Sequence, residues 1–216
     1  MDPLDLRPIL EDHFIWLESH GIKKSCADLS GVDLSGQDLR SVNLRRAKLQ
    51  GADLRDAQLD DCDLHAADLR GADLTGASLR NADLTSASLQ DAKLLRTELI
   101  ETRLSGADLS GANLYGAKVT ATAFRDVKMK RASLEDISLQ KCDVRRADLS
   151  DANLRRAKLQ GSDLSGSNLQ RACLDKADLS GAILHEVNLS GAKLRAARAR
   201  FCSLRMVDMT GSDISN

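Results

Sequence analysis

The sequence predicts an all-β solenoid preceded by a short α-helix. Three observations carry this expectation. From Leu29 to Ile214 every fifth residue is apolar, 38 consecutive positions of which 31 are Leu. Two residues before each lies a second row, where Ala fills 22 of 38 places and Val, Thr, Cys and Ser take most of the rest. Thirteen of the 14 glycines share one place, the last of the five, as at Gly31, Gly71, Gly161 and Gly191.

Residues 1–26 lack the repeat and form the first unit. Pro8 suits the first turn of a helix, where its missing N–H costs nothing. Ile9, Leu10, Phe14 and Leu17 then fall near one helical face, with His13 and Trp16 beside it. Gly21 stands where such a helix stops. The expectation is a helix over 8–20, with Ile9, Leu10, Phe14, Trp16 and Leu17 covering the apolar end of the solenoid and Ile22 sealing the joint.

Residues 27–216 form the second unit. The five-residue unit is A-(D/N)-L-x-x, as in Ala107-Asp108-Leu109-Ser110-Gly111. A period of five matches neither the 3.6 of a helix nor the 2 of a long strand. Two inward residues flanking one outward residue make a very short extended segment, and the other two residues turn a corner. The shared glycine position implies that the corner is tight. Asp or Asn before the central Leu, as at Asp28, Asp73, Asn113 and Asp178, offers a short acceptor to neighbouring turns.

This unit resembles that of the pentapeptide-repeat family, over 188 of 216 residues. The resemblance implies a right-handed quadrilateral parallel β-helix in which four sides close a 20-residue coil. The 38 units then make about 9.5 four-sided coils with a short N-terminal α-helical cap, a rod roughly 45 Å long at ~4.8 Å per coil. On that frame Cys62, Cys142 and Cys202 are small inward residues, too far apart to pair. Cys173 points outward and Cys26 lies at the joint.

Aromatics are 2% of the chain, so Leu and Ala must supply the core. Net charge is −1, but residues 1–110 carry 13 basic and 20 acidic side chains and residues 111–216 carry 18 and 12. The N-terminal half is thus acidic and the C-terminal half basic. No apolar run reaches the length of a membrane span, and no signal peptide is evident. The five cysteines have no metal spacing. The expectation is a cytoplasmic protein that does not enter a membrane.

A regular solenoid carries its specific information in its departures from the repeat. Leu95 and Ile100 occupy outward places, and Tyr115, the one Tyr, should lie directly above Leu95. Together they are a candidate interaction patch. Val119, Phe124 and Met129 replace Leu in three successive central places, read as repacking at constant core volume. A zone from Arg125 to Lys158 is rich in Arg and Lys but interspersed with Asp and Glu. At the C-terminus, outward Phe201 and Met206 accompany inward Met209 and Ile214. No second helix follows them in the sequence, so these residues are a candidate dimer end.

No catalytic set, cofactor motif or metal motif is found. His13, His20, His65 and His185 are scattered, and paired carboxylates such as Asp60–Asp61 lie on a convex rod without an implied cleft. The leading reading is a non-catalytic scaffold presenting flat faces of a rigid rod to an unidentified protein partner, with a homodimer through the last coils. The resemblance implies an alternative. Some pentapeptide-repeat proteins bind type II topoisomerases such as gyrase by mimicking DNA, giving protection from quinolones or toxins. Against it, the outward charges of the four sides sum to about −1, 0, +1 and +1, so no side is acidic. A third reading, anion or nucleic-acid binding through the basic half, lacks a one-signed stripe and stacking aromatics.

Overall fold

The protein is described by a computed structural model covering residues 5–215. Residues pair in parallel with those twenty positions ahead: Asp28 with Lys48, Lys48 with Asp68, Asp68 with Ser88. The Leu29 N–H donates to the Lys48 carbonyl at 2.7 Å, and the Lys48 N–H donates to the Ala27 carbonyl at 2.9 Å. Each three-residue side is thus one rung of a parallel ladder. Between sides the chain turns, and the turn closes when the small inward residue donates back to the preceding Leu, as from Ala47 to Leu44 at 3.0 Å.

The turns explain the glycine placement. All 37 residues in the last place of the pentad, from Gly31 to Gly211, have positive φ, between 52° and 74°. Positive φ at the second central residue alone marks a type II turn. Only thirteen of these corners are Gly; Asp56, Asn81, Arg146 and Glu186 adopt the same conformation. The Asp or Asn before the central Leu caps its own following corner and also accepts from the neighbouring coil, as Asp178 does from Gln160 at 2.9 Å and Asp73 from Lys93 at 3.3 Å. Asp33 Oδ1 accepts from the Ser35 N–H at 3.0 Å, and Asn113 Oδ1 from the Tyr115 N–H at 3.0 Å.

Because a side is three residues long, most rungs are single bridges. Four short strands stand out: β1 (Glu98–Ile100) pairs with β2 (Lys118–Thr120), and β3 (Ile183–His185) with β4 (Ser203–Arg205). Each runs into a corner whose closing bond is absent, at Thr102, Thr122, Val187 and Val207. All four residues are β-branched where the repeat prefers Ala. β-Branching alone does not open a corner, since Val32, Val42, Thr97, Val127 and Ile137 keep the closing bond at 3.1–3.4 Å.

The core is two stacked rows. Every central residue from Leu29 to Leu194 is buried except Val119, and Ala or another small residue fills the second row. Polar substitutes there are satisfied. Thr97 and Thr102 donate to the Leu74 and Leu79 carbonyls of the coil before, at 2.9 and 2.8 Å, and Ser162 donates to Leu159 at 2.6 Å. The Cys62 thiol donates to Leu39 at 2.7 Å, and burial pushes its pKa to about 11.

Helix α1 (Arg7–Glu18) is two residues shorter at its C-terminal end than expected. It ends in a Schellman motif. Gly21 N–H donates to Trp16 at 2.8 Å and His20 N–H to Leu17 at 3.0 Å. The left-handed residue just past the helix is His20, and Gly21 follows it, also at positive φ. The inward face is Leu6, Ile9, Leu10, His13 and Leu17, spaced by three and four residues. Leu6, Ile9 and Leu10 pack on the core, and His13 is fully buried. Its Nδ1 accepts the Ala27 N–H at 3.1 Å, tying the helix to the first rung, and burial lowers its pKa.

Two expectations fail here. Phe14 is 58% exposed, because its place in the turn lies one step round from His13, and Trp16 is only half-buried, stacked on the His13 ring. Ile22 does not seal the joint; it is 84% exposed. Lys24 instead reaches back to Asp12 at 3.1 Å.

The packing sets a clear contrast between two residues of the same type and register. Leu74→Ala, in mid-rod, should destabilise by about 3–5 kcal/mol. Leu204→Ala, with Leu204 61% exposed, should change stability by less than about 1 kcal/mol. Urea denaturation followed by circular dichroism measures both.

Candidate functional site

The surface features foreseen at mid-rod converge on one side of the solenoid. The Leu95 carbonyl accepts from Gly76 and the Tyr115 carbonyl from Arg96, at 2.9 and 3.1 Å, which puts Leu95 and Tyr115 on the same corner one coil apart. Tyr115 is 49% exposed and Leu95 half-buried. Ile100 does not join them. It pairs with Thr120 in β1–β2, one corner further round, and is half-buried. The two corners flank the side that carries β1 and β2.

Directly beyond β2 that side is open. The parallel ladder that joins every other described coil is missing between residues 118–121 and 138–141. One coil later the Leu139 N–H meets the Lys158 carbonyl at 2.8 Å, Lys141 meets Gln160 at 3.0 Å and Lys158 meets Ile137 at 2.8 Å. The corresponding bonds from Val119, Ala121 and Ser138 are absent. The coils stay joined on the other sides, by Asn113–Ser133, Ala123–Asp143 and Lys128–Asp148. The result is an opening of about 490 Å³ lined by Val119, Thr120, Ala121, Ser138, Gln140, Lys141 and Gln160.

This corrects the expectation of repacking at constant volume around Val119, Phe124 and Met129. Phe124 and Met129 are fully buried, but Val119 is only half-buried. Phe124 is the largest buried side chain, and the ladder and turn bonds beside it stretch to 3.3–3.4 Å, as at Leu104–Ala123, Ala123–Thr102 and Val127–Phe124. Val119, a carbon shorter than Leu, fills its side less. Thr122, whose hydroxyl donates to Leu99, leaves its corner unclosed. Oversize on one side and undersize on the next prise the coils apart. The signal in the sequence was the run Val119-Thr120-Ala121-Thr122, with β-branched residues where the repeat wants Leu and Ala.

The basic zone does not form a cationic stripe. Arg146, Arg156 and Arg171 sit at corners and bind the corner carboxylates of the preceding coil: Asp126 at 2.6 Å, Asp136 at 2.7 Å and Asp151 at 2.7 Å. Arg125 and Arg145 share Asp143. Within single sides Arg40 grips Asp38 and Arg70 grips Asp68, both at 2.6 Å. Lys118 is held by Glu98 at 2.8 Å. Among the described residues Lys141, which lines the opening, and Lys158, one coil beyond it, form no ion pair.

The last coils expose Phe201 (94%), Leu204, Met206 (75%), Met209 and Ile214. Phe201 and Met206 are corner residues at positive φ and point outward as expected. Met209 and Ile214 hold inward places but lack a covering coil. Leu204 keeps the register of the repeat, so the sequence around it carries no sign of exposure; its exposure comes from its place in the rod. His65 and His185 remain isolated, and His185 Nε2 lies 2.7 Å from Ser203 Oγ. No group of His, Cys, Asp or Glu among the described residues could hold a metal ion. Among the described residues no helix is long and apolar enough to cross a membrane.

A 20-residue parallel coil with a Leu and a small residue inward on each side is what the comparison with known families must match. The Pentapeptide repeats family model matches in eight copies, over residues 27–65, 62–95, 92–131, 132–171, 147–185 and 172–216. The chain belongs to the pentapeptide-repeat family. It is a β-helix solenoid, as expected of that family. Among solved structures it is similar to HetL, a pentapeptide repeat protein involved in heterocyst differentiation regulation from the cyanobacterium Nostoc sp. strain PCC 7120. The two are 30% identical over 91% of this chain and 94% of HetL, with a TM-score of 0.47. It is also similar to trypsin-treated QnrB1, a plasmid-mediated fluoroquinolone resistance protein, at 20% identity over 88% of this chain and 87% of that one, TM-score 0.50. The likeness to QnrB1 is one of fold. No curated protein matches the chain.

The ion pairs give this pentapeptide-repeat protein a defined acid limit. The Arg40 guanidinium and N–H hold the Asp38 carboxyl down to about 2. Asp126, Asp136 and Asp151 are lowered by their arginines, and Glu98 by Lys118 and Arg80. Carboxyls depressed in the folded state contribute stability above their unfolded value, about 4, and lose it as pH falls through the folded values. Tm should therefore be flat from about pH 8 to 5 and fall steeply between about pH 4 and 2. Differential scanning calorimetry across that range checks it.

Proposed function

We propose that the protein is a non-catalytic interaction scaffold: a right-handed rod of about 9.5 four-sided coils, capped by α1, that presents its sides to a protein partner. One observation carries the reading. On a surface otherwise made of ion pairs and short polar side chains, exposed apolar groups gather at three places: the outer face of the cap with Phe14, Ile15 and Ile22, the Leu95–Tyr115 corner, and the last coils. Contiguous apolar patches on a folded surface mark sites of association. A cytoplasmic setting suits the five free thiols, which an oxidising compartment would put at risk.

The Leu95–Tyr115 corner, with Ile100 on the adjoining one, is the surface we assign to the partner. The last coils, through Phe201, Met206, Met209 and Ile214, are the surface we assign to a second copy of the chain. A DNA-like role toward a topoisomerase is less well supported. Its acidic residues are largely gripped by Arg and Lys, so they do not add to a continuous phosphate-like field.

Substituting Leu95→Glu and Tyr115→Glu together should abolish capture of the native partner in an affinity pull-down, while shifting stability by no more than about 0.5 kcal/mol. The same proteins retained by both forms would defeat the assignment. Sedimentation equilibrium at micromolar concentration should show a dimer that Met206→Glu converts to monomer. A wild-type monomer under those conditions rules out the second-copy surface.

A further inference from the structure

The opening between residues 118–121 and 138–141 has a chemistry that flat sides of the rod lack. Elsewhere the described rungs bond to the next, the N–H groups of Gly116 and Asp143 at the flanking corners being the exceptions. Here one rim presents the Ala117 carbonyl and the Val119 and Ala121 N–H groups. The facing rim presents the Ser138 N–H and the Ser138 and Gln140 carbonyls. These are the groups that would bond across the gap, and none of those bonds is made. Unpaired strand edges are templates for another strand. Here two such edges face one another.

We propose that this opening accepts an extended acidic peptide segment as an additional rung between the two coils. A peptide backbone carries alternating donors and acceptors on both edges, so a single inserted strand can satisfy both rims. A three-residue side sets the length of the contact, about 10 Å of extended chain. The volume, about 490 Å³, is of the size that takes a small ligand. Half-buried Val119 supplies an apolar floor for one inward side chain. The sign of the partner follows from the lysines. Lys118 is neutralised by Glu98, but Lys141 on the rim and Lys158 one coil on have no ion pair. A nucleic acid strand, without amide groups at strand spacing, cannot complete the ladder.

This inference deepens the scaffold reading by giving a partner its chemistry, but it uses a different surface from the Leu95–Tyr115 corner. The test is an NMR titration of the isotope-labelled full chain with an acetylated, amidated hexapeptide alternating aspartate and valine, up to about 1 mM. The expected result is saturable shifts at the Val119, Ala121 and Ser138 amides. The Leu59 and Asp61 amides, which hold the same places three coils earlier and are bonded at 2.8 Å, should not move. The same peptide N-methylated at its valines should not bind, since it has lost its strand donors. Lys141→Glu should weaken binding about three- to fivefold, and Leu95→Glu/Tyr115→Glu should leave it unchanged. Equal binding of the N-methylated peptide, no saturable shift by about 1 mM, or no effect of Lys141→Glu overturns the inference. So does loss of binding in the Leu95→Glu/Tyr115→Glu variant, which would place the peptide on the corner instead. Failure of the partner pull-down with peptide binding intact would remove the corner assignment and leave this site standing.

Discussion

Every coil rests on the same exchange. The N–H of a central residue reaches the carbonyl nineteen positions ahead, and the outward residue of that rung returns a bond to the small residue below. To bring the chain back over itself in twenty residues, every corner must place a residue at positive φ, and all 37 do. An L-residue pays about 1–2 kcal/mol for that conformation, and most corners here are not glycine. The ladder offsets this cost by pairing the backbone on both edges of the rungs, except at the opening beside Val119 and at the two ends. Corner pairs such as Asp126–Arg146 and Asp151–Arg171 fasten one corner to the next. Stability is therefore shared between neighbouring coils, with no single central core to which the ends contribute.

That arrangement explains what could be read in the sequence. The inward rows are legible because each position meets the same environment every time: Leu29, Leu74 and Leu159 are buried for one reason. The glycines are legible because one φ requirement recurs. The helix was half legible. Its existence and its stop followed from Pro8 and Gly21, but the choice of inward face turned on His13, whose ring nitrogen takes the Ala27 N–H. A pattern based on apolar residues assigns that place to Phe14. The network of Arg–Asp pairs was hidden for another reason. Partners twenty residues apart, such as Arg156 and Asp136, become neighbours only once the coil length is known.

The opening beside Val119 was the hardest to foresee. Val119, Phe124 and Thr122 are each a mild departure, and each is tolerated elsewhere: Val144 is buried in a central place and Thr97 in a small one. Their effect lies in adjacency. A large residue on one side and a short one on the side before it cannot both be absorbed by a rung only three residues long. The sequence shows the irregularity, but its outcome as a gap depends on how strain divides between two sides of one coil.

The five-residue unit also has a geometric consequence for how such a chain can change. Deleting or duplicating one pentad keeps every remaining Leu inward, so the ladder survives. Yet everything beyond the change is carried round by a quarter turn. Leu95 and Tyr115 share a corner only because a whole number of coils separates them, and the same holds for Lys118 facing Ser138 across the opening. Twenty-residue steps preserve such alignments, and five-residue steps dissolve them without unfolding anything. The rod thus behaves like a combination lock: its sturdiness is indifferent to the dial, and its surface pattern depends on it.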